Sequence, residues 1–183
     1  MSLFPIFLKL DGRRCLVVGA GRIGEEKIKG LLRAGAEVHI VSPRATPRVR
    51  AWARDQQVTW KKRAFLTADL RAVFLVVAAT SSPELHARIH REAKRRAILC
   101  NAVDDPENCD FYYGAIVRRG PLQIAISTSG HSPALAQRIR KQLAKQFGTE
   151  YKDWLKQLGV AEVFTPGAPT QQAIDFIRGA VRA

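Results

Sequence analysis

The sequence predicts an α/β fold built on a doubly wound parallel sheet, and three observations carry that prediction. Apolar strand-like runs and amphipathic helical runs alternate from residue 13 to about 104, the rhythm of successive βαβ units. Residues 72–79, AVFLVVAA, are almost wholly apolar, as a central strand buried on both faces requires. The first apolar run ends in Gly19-Ala20-Gly21-Arg22-Ile23-Gly24, a GxGxxG turn set between a strand and a helix.

Taken in order, residues 13–18 form the first strand, which stops at Gly19. Ile23, Ile28, Leu31 and Leu32 then lie on one helical face over 22–33, and Gly35 is placed to end that helix as its C′ residue. AEVHIVSP, rich in β-branched residues, is the second strand. ATPRVRAWARDQ is a basic helix with Pro47 near its first turn, and QVTWKKR alternates as a third strand does. After the fourth strand at 72–79, Thr80-Ser81-Ser82-Pro83 introduces the helix PELHARIHREAKRR, and AILCNAVD is the fifth strand. Beyond residue 110 the rhythm changes. FYYGAIVRRGPLQIAISTSG reads as two strands joined through Arg119-Gly120-Pro121. The helix SPALAQRIRKQLAKQF, the helix TEYKDWLKQLGV, the linker TPGAPT and a short helix QQAIDFIRGAV follow. The expected organisation is a nucleotide-binding domain over 1–112, a small α+β region over 113–147 and a helical region over 148–183. A hairpin with amphipathic helices buries little alone, so pairing with a second chain is expected.

At 183 residues the chain suits one generous domain with a smaller appendage. No apolar stretch approaches the ~18 residues that cross a bilayer, and the N-terminus lacks the basic and small-residue marks of a signal peptide. Cys15, Cys100 and Cys109 form no metal-ligand spacing and read as reduced thiols of a cytoplasmic protein. The net charge of +14 points to a polyanionic partner, whether nucleic acid, anionic lipid or an acidic small molecule. Composition does not choose among them. No nucleic-acid module surrounds the basic stretch 44–63, and Trp52, Trp60 and Trp154 are too scattered for a base-stacking platform.

In the glycine turn, Gly19 makes the bend, Gly21 lets backbone approach a pyrophosphate, and Gly24 permits close helix–sheet packing at a positive helix terminus. A carboxylate about 20 residues on, usual for the ribose of NAD, is missing. The second strand ends HIVSPRA, where Ser42 can bond a hydroxyl and Arg44 can meet a 2′-phosphate; on these residues alone the balance tilts to NADP. Thr80 leaves the fourth strand and Asn101 belongs to the fifth, both at the carboxyl edge where such sheets bind ligands; a helix N-cap is the competing reading of Thr80. Asp104 precedes the turn residues Asp105-Pro106 and is the better candidate for acid–base work. Ser127, Thr128, Ser129 and His131 lie in a hydroxyl-rich loop opening a helix, suited to carboxylate or phosphate. His86 and His90 stand at i, i+4 with no third ligand, amid Arg88, Arg91, Lys94 and Arg95, and read as part of a solvated basic face. No metal site is expected.

The opening FPIFLKLDGRRCLVVGAGRIGEEKIKGLLRAGAEVHIVSP, then AATSSPELH, then CNAVDDPENCDFYYGAIVRRGPLQIAISTSGHSPALAQRIR resemble the precorrin-2 dehydrogenase / sirohydrochlorin ferrochelatase family, the siroheme-synthase N-terminal type in stand-alone form. The resemblance covers residues 3 to about 158. It implies a Rossmann-like sheet followed by a dimerisation region and C-terminal helices, in a homodimer. It implies oxidation of precorrin-2 to sirohydrochlorin with NAD as cofactor, and in some members insertion of Fe2+ as a second substrate. The family's catalytic aspartate falls on Asp104, and its cofactor contacts fall on Arg22, Ile23, Pro43 and Arg44. Because the family uses NAD without an acid at the second strand's end, the tilt to NADP is removed. Thr128 stands where some relatives carry a second serine. The charge fits a polycarboxylate substrate. The alternative from another class is a nucleotide-sensing module that binds nucleic acid.

Overall fold

The computed structural model describes residues 3–161. The predicted linker at 165–170 and helix at 171–181 lie outside them. Two compact units are distinguished, one running to Tyr113 and including Thr128–Ser132, the other comprising Gly114–Ser127 and the described residues from Pro133 on.

In the first unit five strands form one parallel sheet: β1 (Arg14–Ala20), β2 (Glu37–Ala45), β3 (Thr59–Lys61), β4 (Leu75–Ala78) and β5 (Leu99–Ala102). The order is β3-β2-β1-β4-β5, so the direction of winding reverses between β1 and β4. Three helices cross over: α1 (Arg22–Arg33), α2 (Pro47–Arg54) and α3 (Pro83–Lys94). α1 ends at Ala34 with Gly35 beyond it at φ +74°, the left-handed turn expected of that glycine. Thr46 caps α2 through Val49 N–H, with Pro47 at its first position.

The core explains the apolar strands. Successive residues of β1 point to opposite faces: Cys15 and Val17 pack with Ile28, Leu31, Val38 and Val49. Leu16 and Val18 pack with Leu70, Val76, Ile89 and Cys100. β4 divides the same way, Leu75 and Val77 to the first cluster and Val76 and Ala78 to the second. A sheet covered on both faces needs continuous apolar strands. Each such side chain contributes about 1.5–3 kcal/mol.

The second unit pairs β6 (Ala115–Arg119) with β7 (Leu122–Ile126) as an antiparallel hairpin, followed by α4 (Pro133–Gln146) and α5 (Glu150–Ala161). Arg119 closes the C-terminal end of α4, donating from Nη2 to Ala144 O and from Nε to Phe147 O, each at 2.8 Å. A guanidinium there satisfies carbonyls that the helix leaves without partners.

Candidate active site

At the carboxyl edge of the sheet, around the switch between β1 and β4, lies a cavity of about 790 Å3. Its floor is the glycine turn. Gly19 sits at φ +100°, and a Cβ there would drive into the Ala79 carbonyl of the neighbouring β4 segment. Gly24 is packed against the carbonyl of Gly19, so a Cβ is excluded there too. Gly21 differs: a Cβ would meet nothing within 4 Å and would project into open space. Gly21 is the N-cap of α1, and no side chain caps that terminus. Its amide groups and positive dipole end stay available to an anion. Arg22 and the half-exposed Ile23 line the cavity beside this open terminus.

The wall beyond β2 is made by a bulge. Val18 pairs with Val41 and Ala20 with Ala45, so Gly19 on β1 stands opposite Ser42, Pro43 and Arg44 on β2. Ser42 Oγ donates to Arg44 O at 2.6 Å, and Trp60 Nε1 donates to Ser42 O at 2.9 Å. These bonds hold the bulge while Pro43 and Arg44 are exposed at the cavity lining. Thr80 and Ser81 line the β4 side. Thr80 is not the cap of α3: Ser82 holds that position, accepting from Leu85 N–H. Ala64 and Phe65 complete the lining. They were not legible in the sequence, because they lie in irregular chain with no periodic pattern. That chain is fixed by Asp69, which accepts from Leu66 N–H and from both Nη atoms of Arg63.

Asp104 follows β5 and lines the same cavity. It is exposed and takes a left-handed backbone, φ +59°. That conformation costs about 1 kcal/mol for an ordinary residue and less for Asp. Behind it lies a residue the sequence reading passed over. Lys27 of α1 is partly buried, its Nζ 3.7 Å from the centroid of the Tyr113 ring. Burial lowers its pKa, and the negative charge of Asp104 works against that lowering. The only sequence signal was spacing: Lys27 is one helical turn beyond Ile23.

Asn101 is buried and does not line the cavity. Its amide donates to Phe111 O at 2.8 Å and so ties β5 to the segment at 109–111. The solvated basic face expected for His86 and His90 is corrected by the structure. His86 is buried with Nδ1 3.3 Å from Asp105 Oδ2, and His90 Nε2 is 3.4 Å from Asp110 Oδ1. Both turn inward because the i, i+4 spacing aims them at one loop. In the hydroxyl-rich loop, Thr128 accepts at Oγ1 from Ser132 N–H (3.1 Å) and at its carbonyl from His131 N–H (2.9 Å), and Ser129 has φ +51°. These bonds make a compact turn of Thr128 to His131, while Ser127 belongs to the second unit.

A parallel sheet with a glycine cradle at its switch point defines a dinucleotide-binding protein of the Rossmann type. Comparison with known proteins narrows this. A family model described as putative NAD(P)-binding matches residues 6–115, and one described as sirohaem biosynthesis protein central matches residues 119–146. The chain is 41% identical over 143 residues to siroheme synthase 1 of Serratia proteamaculans, covering 78% of this chain and 30% of the relative. It is 34% identical over 167 residues to a siroheme synthase of Nitrosococcus oceani, covering 86% and 36%. The chain thus spans about a third of the length of these relatives. Among solved structures, SirC, a precorrin-2 dehydrogenase, superposes with a TM-score of 0.77 at 25% identity, covering 98% of this chain and 89% of that one. The chain belongs to this putative NAD(P)-binding family and is similar to part of the siroheme synthases.

Proposed function

We propose that the chain is a precorrin-2 dehydrogenase, oxidising precorrin-2 to sirohydrochlorin with NAD+ in siroheme biosynthesis. The observation that carries this reading is one cavity holding both an open glycine cradle and an exposed carboxylate, Asp104, on a left-handed turn. The resemblance to SirC, named for that activity, supports it. Gly19, Gly21, Gly24, Arg22 and Ile23 are assigned to the pyrophosphate, and Ser42, Pro43 and Arg44 to the adenosine side. Thr80 is assigned to the nicotinamide side. When bound, NAD+ supplies the hydride acceptor.

The oxidation removes a hydride and a proton from the macrocycle. Asp104 is the group assigned to take the proton and pass it to solvent. Its exposure gives that route. Ser127, Thr128, Ser129 and His131 are assigned to carboxylates of the tetrapyrrole. The reading includes a homodimer, supported by large apolar side chains left exposed in one chain, among them Phe4, Phe7 and Leu135, and a cytoplasmic setting.

The test is anaerobic incubation of the purified protein with precorrin-2 and NAD+. NADH and sirohydrochlorin should form in equal amounts, and neither should form without NAD+. A second arm adds Fe2+ to sirohydrochlorin with and without protein; protein-dependent siroheme formation would add chelation to the activity. No NADH in the first arm contradicts the reading.

A further inference from the structure

The proton acceptor opens a loop that is bonded within itself, Asp105 N–H donating to Ala102 O at 3.3 Å and Asn108 N–H to Asp105 O at 3.1 Å, and that also meets side chains of α3. His86, 5% exposed, places Nδ1 3.3 Å from Asp105 Oδ2. Its Nε2 is buried with no hydrogen-bond partner among the described residues, so Nδ1 is the ring nitrogen that faces a polar group, the Asp105 carboxylate. The same Asp105 oxygen accepts from Asn108 Nδ2 at 2.8 Å, and the Asp105 carbonyl accepts from Cys109 Sγ at 3.2 Å. One turn further along α3, His90 reaches Asp110, whose other oxygen accepts from Cys100 N–H at 2.9 Å. The loop from Asp104 to Asp110 is therefore held at both ends by one helix face. The first of those contacts is to the residue directly after Asp104.

We infer that His86 is a positioning residue for the reaction: by holding Asp105 it fixes the left-handed turn that presents Asp104 to the cavity. His86 touches neither substrate nor nucleotide. The chain before α3 does face the nucleotide, since Thr80 and Ser81 line the cavity and Leu85, beside His86, lines it too. The helix that borders the nucleotide pocket thus also sets the acceptor carboxylate. Misplacing a reacting group by about 1 Å costs on the order of a hundredfold in rate. The inference rests on the proposed role of Asp104, and its test separates the two.

His86→Leu removes the polar contact to Asp105 while keeping apolar bulk, and His86→Asn restores a polar group near the position of Nδ1. Asp105→Ala breaks the same contact from a partly exposed position, together with the bond from Asn108 Nδ2. Three readouts apply: amide hydrogen exchange over 104–110, affinity for NAD+, and kcat against KM for precorrin-2 oxidation. H86L and D105A should each speed exchange over 104–110 and lower kcat about tenfold or more. Affinity for NAD+ and KM should stay within about twofold of wild type, and the double variant should be no worse than either single one. H86N should recover most of the loss. Unchanged exchange and kcat in both H86L and D105A would overturn the inference, as would H86N as impaired as H86L. Wild-type protein inactive on precorrin-2 would overturn the functional reading instead, while the exchange arm still decides whether His86 holds the loop.

Discussion

At the scale of single residues, Gly19 and Gly21 separate folding from binding. Gly19 has a left-handed backbone and no room for a Cβ beside Ala79, whereas a Cβ on Gly21 points only into open cavity. Gly19→Ala should therefore lower the melting temperature of the free protein by several degrees, each kcal/mol being about 2–4 °C at this size. Gly21→Ala should melt within about 4 °C of wild type yet bind NAD+ about tenfold or more weakly, read by titration calorimetry. Equal loss of affinity and stability in both variants would reduce the turn to a packing device. The sequence showed the glycines, their separate roles and Asp104, but not that Gly19 is closed off by the Ala79 carbonyl, which lies just beyond β4 and far along the chain. Nor did it show Lys27 over Tyr113, a contact between residues far apart in the chain. The thiols are held out of reaction: burial pushes Cys15 up to about 11 and Cys100 up to about 12.

At the scale of elements, the strands and helices were legible because their signals are local and periodic. The apolar run at 72–79 contains β4, and the helix expected over 22–33 has those bounds. The bulge at Ser42, Pro43 and Arg44 was not legible, because it arises from register between β1 and β2. The segment carrying Ala64 and Phe65 was hidden for a similar reason, being held by ionic bonds and not by pattern. Its anchor, Asp69, has a side chain only 3% exposed, and the hydrogen bond from Arg63, with burial opposing, holds its carboxyl down at about 2. The usual value is 3.8, so its folded pKa is depressed. Its contribution is complete above about pH 4 and is lost as pH falls towards 2. Asp69→Asn should lower the melting temperature at pH 7 and flatten its dependence on pH between about 4 and 2, as followed by thermal denaturation at a series of pH values. An unchanged acid limb in D69N would remove the Arg63–Asp69 pair from the stability of this wall.

At the scale of the whole molecule, the charge of +14 pointed to an anionic partner without naming it. In the proposed function that partner is a polycarboxylate tetrapyrrole, and a basic surface would raise its rate of encounter. Where composition chose no partner, the order of three motifs along the chain carried the resemblance behind that proposal: the glycine turn, the aspartate after the fifth strand and the hydroxyl loop. The account then depends on one proton acceptor. Asp104→Asn is its sharpest probe, because Asn tolerates the left-handed turn as Asp does but does not take up a proton. Single-turnover formation of NADH from precorrin-2 and NAD+ should fall about a hundredfold or more in D104N, with NAD+ affinity and melting temperature unchanged. NADH formation at the wild-type rate in D104N would contradict the account.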